Sequence, residues 1–162
     1  MRKLTVFSIL LVSLFLAASV SLAQTVSGSN VVVPKEMVTT KLASGKSYVS
    51  QGNHQLFMTA DPKHPLNGAS GDCDGACVVD ASNAAMCMGS CTVVDRDGDL
   101  AFFTWDGGQE NGGWKLASGS GKWKGASGQG TWKNAGAAVA GNFARNNWEG
   151  TMSMASMAAP KK

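Results

Sequence analysis

At 162 residues, 44% hydrophobic and 15% charged, the chain has room for one domain and one hydrophobic core. Two of the positive charges behind its formal +3 are Arg2 and Lys3, so the rest is nearly neutral. No stripe of Lys and Arg marks a nucleic-acid binder, and that class of function is set aside.

Arg2 and Lys3 precede an apolar stretch, Leu4 to Ala18, that only Thr5, Ser8 and Ser13 interrupt. Ser21-Leu22-Ala23 then puts small residues where a signal peptidase reads them, which predicts a secretory signal over 1–23 cut before Gln24. The competing reading is a retained anchor of roughly 20 apolar residues. The small and hydroxylated residues from Ala17 onward fit a processing site better, and no cysteine lies at the cut to carry a lipid. The expectation is a secreted or periplasmic protein of 139 residues with no stable membrane anchor after cleavage.

Gln24 to Asn30 reads as a flexible lead-in, 31–154 as an all-β domain, and 155–162 as a disordered tail. Short apolar runs lie between turn residues at Val31 to Val33, Met37 to Leu42, Gln55 to Thr59, Thr92 to Val94, Leu100 to Trp105 and Asn142 to Met152. No long run has helical spacing, so the pattern predicts a sandwich or barrel.

The four cysteines, Cys73, Cys77, Cys87 and Cys91, allow three pairings. In an antiparallel hairpin, residues directly opposite share one index sum. Cys73 with Cys91 and Cys77 with Cys87 both give 164, so a single register aligns both nested pairs on one face. Ser82 falls at the apex, within Asp80-Ala81-Ser82-Asn83. An oxidising compartment favours these two bridges over free thiols or zinc, as a staple without a redox role.

Asp95-Arg96-Asp97-Gly98-Asp99 follows, and Asp97-Gly98 is a hairpin signal. The alternate Asp residues imitate the start of a calcium loop, but Leu100 and Asp106 stand where that loop needs Gly and Glu. Next comes a short repeat, Ala117 to Lys124 and Ala126 to Lys133, which fits two adjacent strands entered through glycine-rich turns. Gly119-Ser120-Gly121-Lys122 lacks the spacing of a phosphate-binding loop, with Leu116 and Trp123 in two of its required places.

Gly119 to Thr131, Asp95 to Asp99, Asn147-Trp148-Glu149-Gly150-Thr151 and Thr59-Ala60-Asp61-Pro62 together resemble secreted bacterial proteins with an allene-oxide-cyclase-like barrel. The resemblance spans about His54 to Thr151. It implies a closed antiparallel barrel of about eight strands, related in shape to lipocalins and other calycins, whose interior can hold one small ligand. The cyclases' active-site residues have no counterparts here, so the activity is not carried over.

Catalytic signals are sparse. His64 sits in a Pro-flanked loop, His54 begins an apolar strand, and Glu36, Glu110 and Glu149 are isolated; alternation puts either Trp148 or Glu149 towards solvent. Met86-Cys87-Met88 and the stretch Met152 to Met157 resemble thioether sites for Cu(I), although methionine also fills core gaps. The five Trp read as core and barrel-rim residues. The sequence therefore favours a non-enzymatic barrel binding a small apolar ligand, or an accessory protein, with Phe103, Trp105, Trp123 and Trp132 as candidate pocket residues. No catalytic residue, metal or cofactor is assigned. The alternatives are an isomerase or cyclase of the related barrel type and a Met-rich copper-binding periplasmic protein.

Overall fold

The computed structural model describes residues 23–137 and 143–154. The expected signal (1–23, apart from its last residue) and tail (155–162) lie outside them. Eight strands follow in chain order: β1 Gln24–Lys41, β2 Ser47–Thr59, β3 Ser70–Val79, β4 Ala85–Val94, β5 Leu100–Gly107, β6 Asn111–Gly119, β7 Ser127–Ala137 and β8 Ala144–Ser153. Each pairs antiparallel with the next and β8 returns to β1, forming one closed barrel. Among the described residues no helix is long and apolar enough to cross a membrane.

Closure explains the main departure from the sequence reading. Gln24 to Asn30 is not a lead-in but the first half of β1, in register with β8 from Gln24 opposite Met152 to Val32 opposite Ala144. A barrel abolishes free sheet edges by pairing its terminal strands, and that need overrides the segment's polar composition. Val31 to Val33 and the stretch from Met37 to Lys41 merge into the same strand, which a bulge interrupts between Pro34 and Glu36.

Turn chemistry fixes the hairpins. The Asp80 carboxylate accepts the backbone N–H groups of Ser82 and Ala84 at 2.8 and 3.0 Å, closing the β3–β4 turn. Asn83 there takes a φ of 64°, which asparagine tolerates better than most residues. At the β4–β5 turn, Gly98 has a φ of 85°. The β3–β4 register places Cys73 opposite Cys91 and Cys77 opposite Cys87. Both pairs are bonded. Two disulfides fit an oxidising environment of the extracellular kind.

One end of the barrel is plugged. Leu66 from the β2–β3 connection and Trp123 from a 3-10 turn, Gly121–Trp123, are fully buried there among Val93, Ala101, Leu116 and Met152. The repeat is thereby split: its first copy runs from the end of β6 into this turn, and its second enters β7. Trp123 is a plug and Trp132 an interior strand residue, so the copies are not equivalent strands.

The plug rests on a buried carboxylate. Trp123 Nε1–H donates to Asp95 Oδ2 at 2.8 Å, the backbone N–H groups of Asp97 and Asp99 donate to Oδ1, and Lys122 Nζ lies 3.0 Å from Oδ2. Burial pushes the Asp95 pKa up, but the Lys122 ammonium and these donors outweigh it and hold the carboxyl below its ordinary range. Lys122 also pairs with Asp97 and Asp99. The carboxylates that imitate a calcium loop thus converge on an ammonium. His64 Nδ1 accepts the Leu66 N–H at 3.2 Å, beside the Trp123 ring. Burial lowers its pKa, against the opposing charge of Asp61, so His64 serves the plug as a neutral acceptor.

Candidate functional site

Above the plug the barrel encloses a cavity of about 460 Å³. It extends to the end where the β1–β2, β3–β4 and β5–β6 hairpins turn, since Met37, Val79, Ala85 and Gln109 line it there. Its size falls in the range of small-molecule pockets, ≈ 300–1,000 Å³.

The walls are built from tryptophans laid over glycines. Trp105 on β5 crosses Gly75 and Gly89 on β3 and β4, where any Cβ would collide with its indole. Those glycines pair with each other midway between the two disulfides, so the Cys-x-Gly-x-Cys pattern of both strands makes a trough for one ring, with sulfur above and below. Trp114 crosses Gly130 and Gly150 in the same way, Trp132 covers Gly112, and Trp148 covers Gly28. Without the side chains those glycines lack, the rings can lie flat on the sheet and leave the centre open.

Edge-to-face packing joins the panels. Trp114 and Trp148 have centroids 6.3 Å apart at 87°, Phe103 and Trp114 6.1 Å at 73°, and Phe57 and Trp148 6.4 Å at 65°. Trp114 Nε1–H points to the carbonyls of Thr131 and Glu149, and Trp132 Nε1–H to that of Asp106. The buried Nε1–H groups of Trp105 and Trp148 have no partner among the described residues.

Of the expected pocket residues, Phe103, Trp105 and Trp132 line the cavity. Trp123 does not: at 0% exposure it is sealed beneath the cavity, tied to Asp95. Sequence reasoning missed Trp114, Trp148 and Phe57, as well as the amides Asn30, Gln51, Asn53 and Gln55 on the lining. For Trp148 the signal was present in the alternation with Glu149, and the structure turns Trp148 inward and Glu149 to solvent.

The other candidates fall elsewhere. His54 Nδ1 and Lys35 Nζ each lie 2.7 Å from Asp72 Oδ1 on the outer face, and the two hold that carboxyl below its usual pKa. Glu36 and Glu110 are exposed. Met86 and Met88 point outward at 73% and 63% exposure, whereas Met152 and Met154 are buried near the plug. Met152 and Met154, the described members of their group, are not brought together with Met86 and Met88, and Met157 lies outside the described residues. Among the described residues, no cluster of His, Cys, Asp or Glu is arranged to hold a metal.

No protein-family model matches the chain, and neither does any curated protein. A solved structure does, that of the pterocarpan synthase dirigent protein GePTS1. It is 10% identical over 82% of this chain and 90% of the other, with a TM-score of 0.51. The likeness is one of fold. It supports the barrel implied by the sequence resemblance, while the narrower likeness to allene-oxide-cyclase barrels and to bacterial proteins rests on the quoted motifs.

Proposed function

We propose that this chain is a non-enzymatic, extracytoplasmic barrel that holds one small, mostly apolar ligand in its interior, as a carrier or accessory protein. The observation that carries this reading is the cavity lining: four indoles and two phenyl rings around about 460 Å³, with no ionisable side chain among the described residues that form it. Such a lining gains by removing apolar surface from water, and it offers no acid, base or nucleophile to a bound molecule. The signal-like segment 1–23 and the two disulfides support export. The name of the fold neighbour, a synthase, keeps an isomerase or cyclase as the second reading; this interior would supply orientation to such a reaction, but no proton transfer.

Titration of the disulfide-intact protein with the uncharged dye N-phenyl-1-naphthylamine tests the proposal. Saturable binding at one site, displaced by naphthalene and accompanied by a change in Trp emission, is expected. Ligand at about 100 times its Kd should stabilise the fold by about 2.7 kcal/mol. Failure of both compounds to bind or to raise the Tm would leave the barrel a structural module.

A further inference from the structure

Most carboxamides of the cavity lie on β7, β8, β1 and β2, with Gln109 at the β5–β6 turn the exception. Asn146 on β8, Asn30 on β1, and Asn53 and Gln55 on β2 form one wall. Closure of eight strands in sequence puts β1 and β2 across the barrel from β5 and β6, which carry Phe103, Trp105 and Trp114. Phe103, Trp105 and Trp114 therefore face a wall on which these carboxamides are interspersed with Phe57 and Trp148.

The carboxamides are linked. Asn30 Nδ2–H donates to Gln55 Oε1 at 2.6 Å, and Gln55 Nε2–H donates to Asn53 Oδ1 at 2.9 Å. Asn30 and Asn53 are only 5% and 9% exposed. Each carboxamide carries two donor hydrogens and one acceptor oxygen, so this chain leaves capacity unused at both ends, the Asn30 carbonyl and the Asn53 amino group. Neither has another side-chain partner among the described residues, and both residues line the cavity. Polar groups with spare capacity on a cavity wall favour a ligand that completes their hydrogen bonds. No described cation or anion on the lining can neutralise a charged ligand, and desolvating an unpaired charge is far costlier than desolvating a hydroxyl.

We infer that the cavity selects a flat, uncharged aromatic molecule bearing hydroxyl or carbonyl groups along one edge, with its face on Trp105 and Trp114 and that edge on the Asn30–Gln55–Asn53 chain. The inference rests on the ligand-binding reading above and adds polarity, position and charge. It makes carboxylate amphiphiles and organic cations poor ligands.

Three probes of one shape test it at neutral pH on the full disulfide-intact chain: naphthalene, 2-naphthol and 2-naphthoate. The 2-naphthol Kd should be about ten-fold below that of naphthalene, the factor one hydrogen bond of ordinary net strength confers, and also below that of 2-naphthoate. In an Asn53→Leu/Gln55→Leu variant the naphthol advantage should shrink to about two-fold or less, while naphthalene still binds and so reports an intact cavity. Equal wild-type affinity for naphthol and naphthalene, or naphthoate binding as tightly as naphthol, overturns the inference and leaves cavity binding standing. Retention of the naphthol advantage in the variant overturns the role of the amide chain. If none of the three binds, the ligand-binding reading fails and the inference with it.

Discussion

Trp123→Ala is expected to lower the unfolding free energy by about 3–5 kcal/mol, the usual cost of truncating a fully buried aromatic, and the Tm by on the order of 10 °C. The ring is sealed at 0% exposure, so its removal leaves a cavity in the buried cluster that contains Leu66 and Ala126. It also strips Asp95 Oδ2 of the Nε1–H donor. Trp123→Phe separates the two effects. It restores most of the volume and omits the hydrogen bond, so a loss of about 1–3 kcal/mol is expected. Urea unfolding of both variants decides it; a Trp123→Ala protein as stable as the parent would mean that the plug adds nothing to the fold.

The outer disulfide gives the second large effect. Cys73–Cys91 spans 18 positions, and in the chain-entropy model a loop of that size is worth about 3 kcal/mol. Cys77–Cys87 spans 10 and lies inside the outer loop, so it adds less. Cys73→Ala/Cys91→Ala should therefore lose about 3 kcal/mol in non-reducing denaturant unfolding, and Cys77→Ala/Cys87→Ala a smaller amount. The reverse ranking would show that side-chain packing within the barrel, rather than loop closure, sets the value of the bridges.

The β3–β4 hairpin was legible because constant index sum and same-face spacing are properties of the covalent sequence, and Asp97-Gly98 was legible because its backbone demands are local. The first half of β1 was not, since its strand state comes from β8, more than a hundred residues away. Trp123 and Trp132 stand in near-identical local sequence, and only the 3-10 turn distinguishes the two indoles. The amide wall was hidden by an inversion of the usual pattern. Along β2, Gln51, Asn53 and Gln55 face the cavity between Val49 and Phe57, while Leu56 and Met58 are exposed at 44% and 40%. Alternation was present, but its hydrophobic sense is reversed over part of the strand. The glycines that cradle Trp105 and Trp114 carry no signal of that role in the sequence, because their purpose is visible only once the rings lie on them.

The central claim, an interior built to hold a ligand, is most directly tested by the five indole N–H resonances, which report from known places in the barrel. A 15N-edited titration of the protein with 2-naphthol should shift the Trp105, Trp114, Trp132 and Trp148 signals along one saturating curve and leave Trp123 unmoved behind its bond to Asp95. No shift in the four, or shifts only in residues of the outer face, would contradict the account.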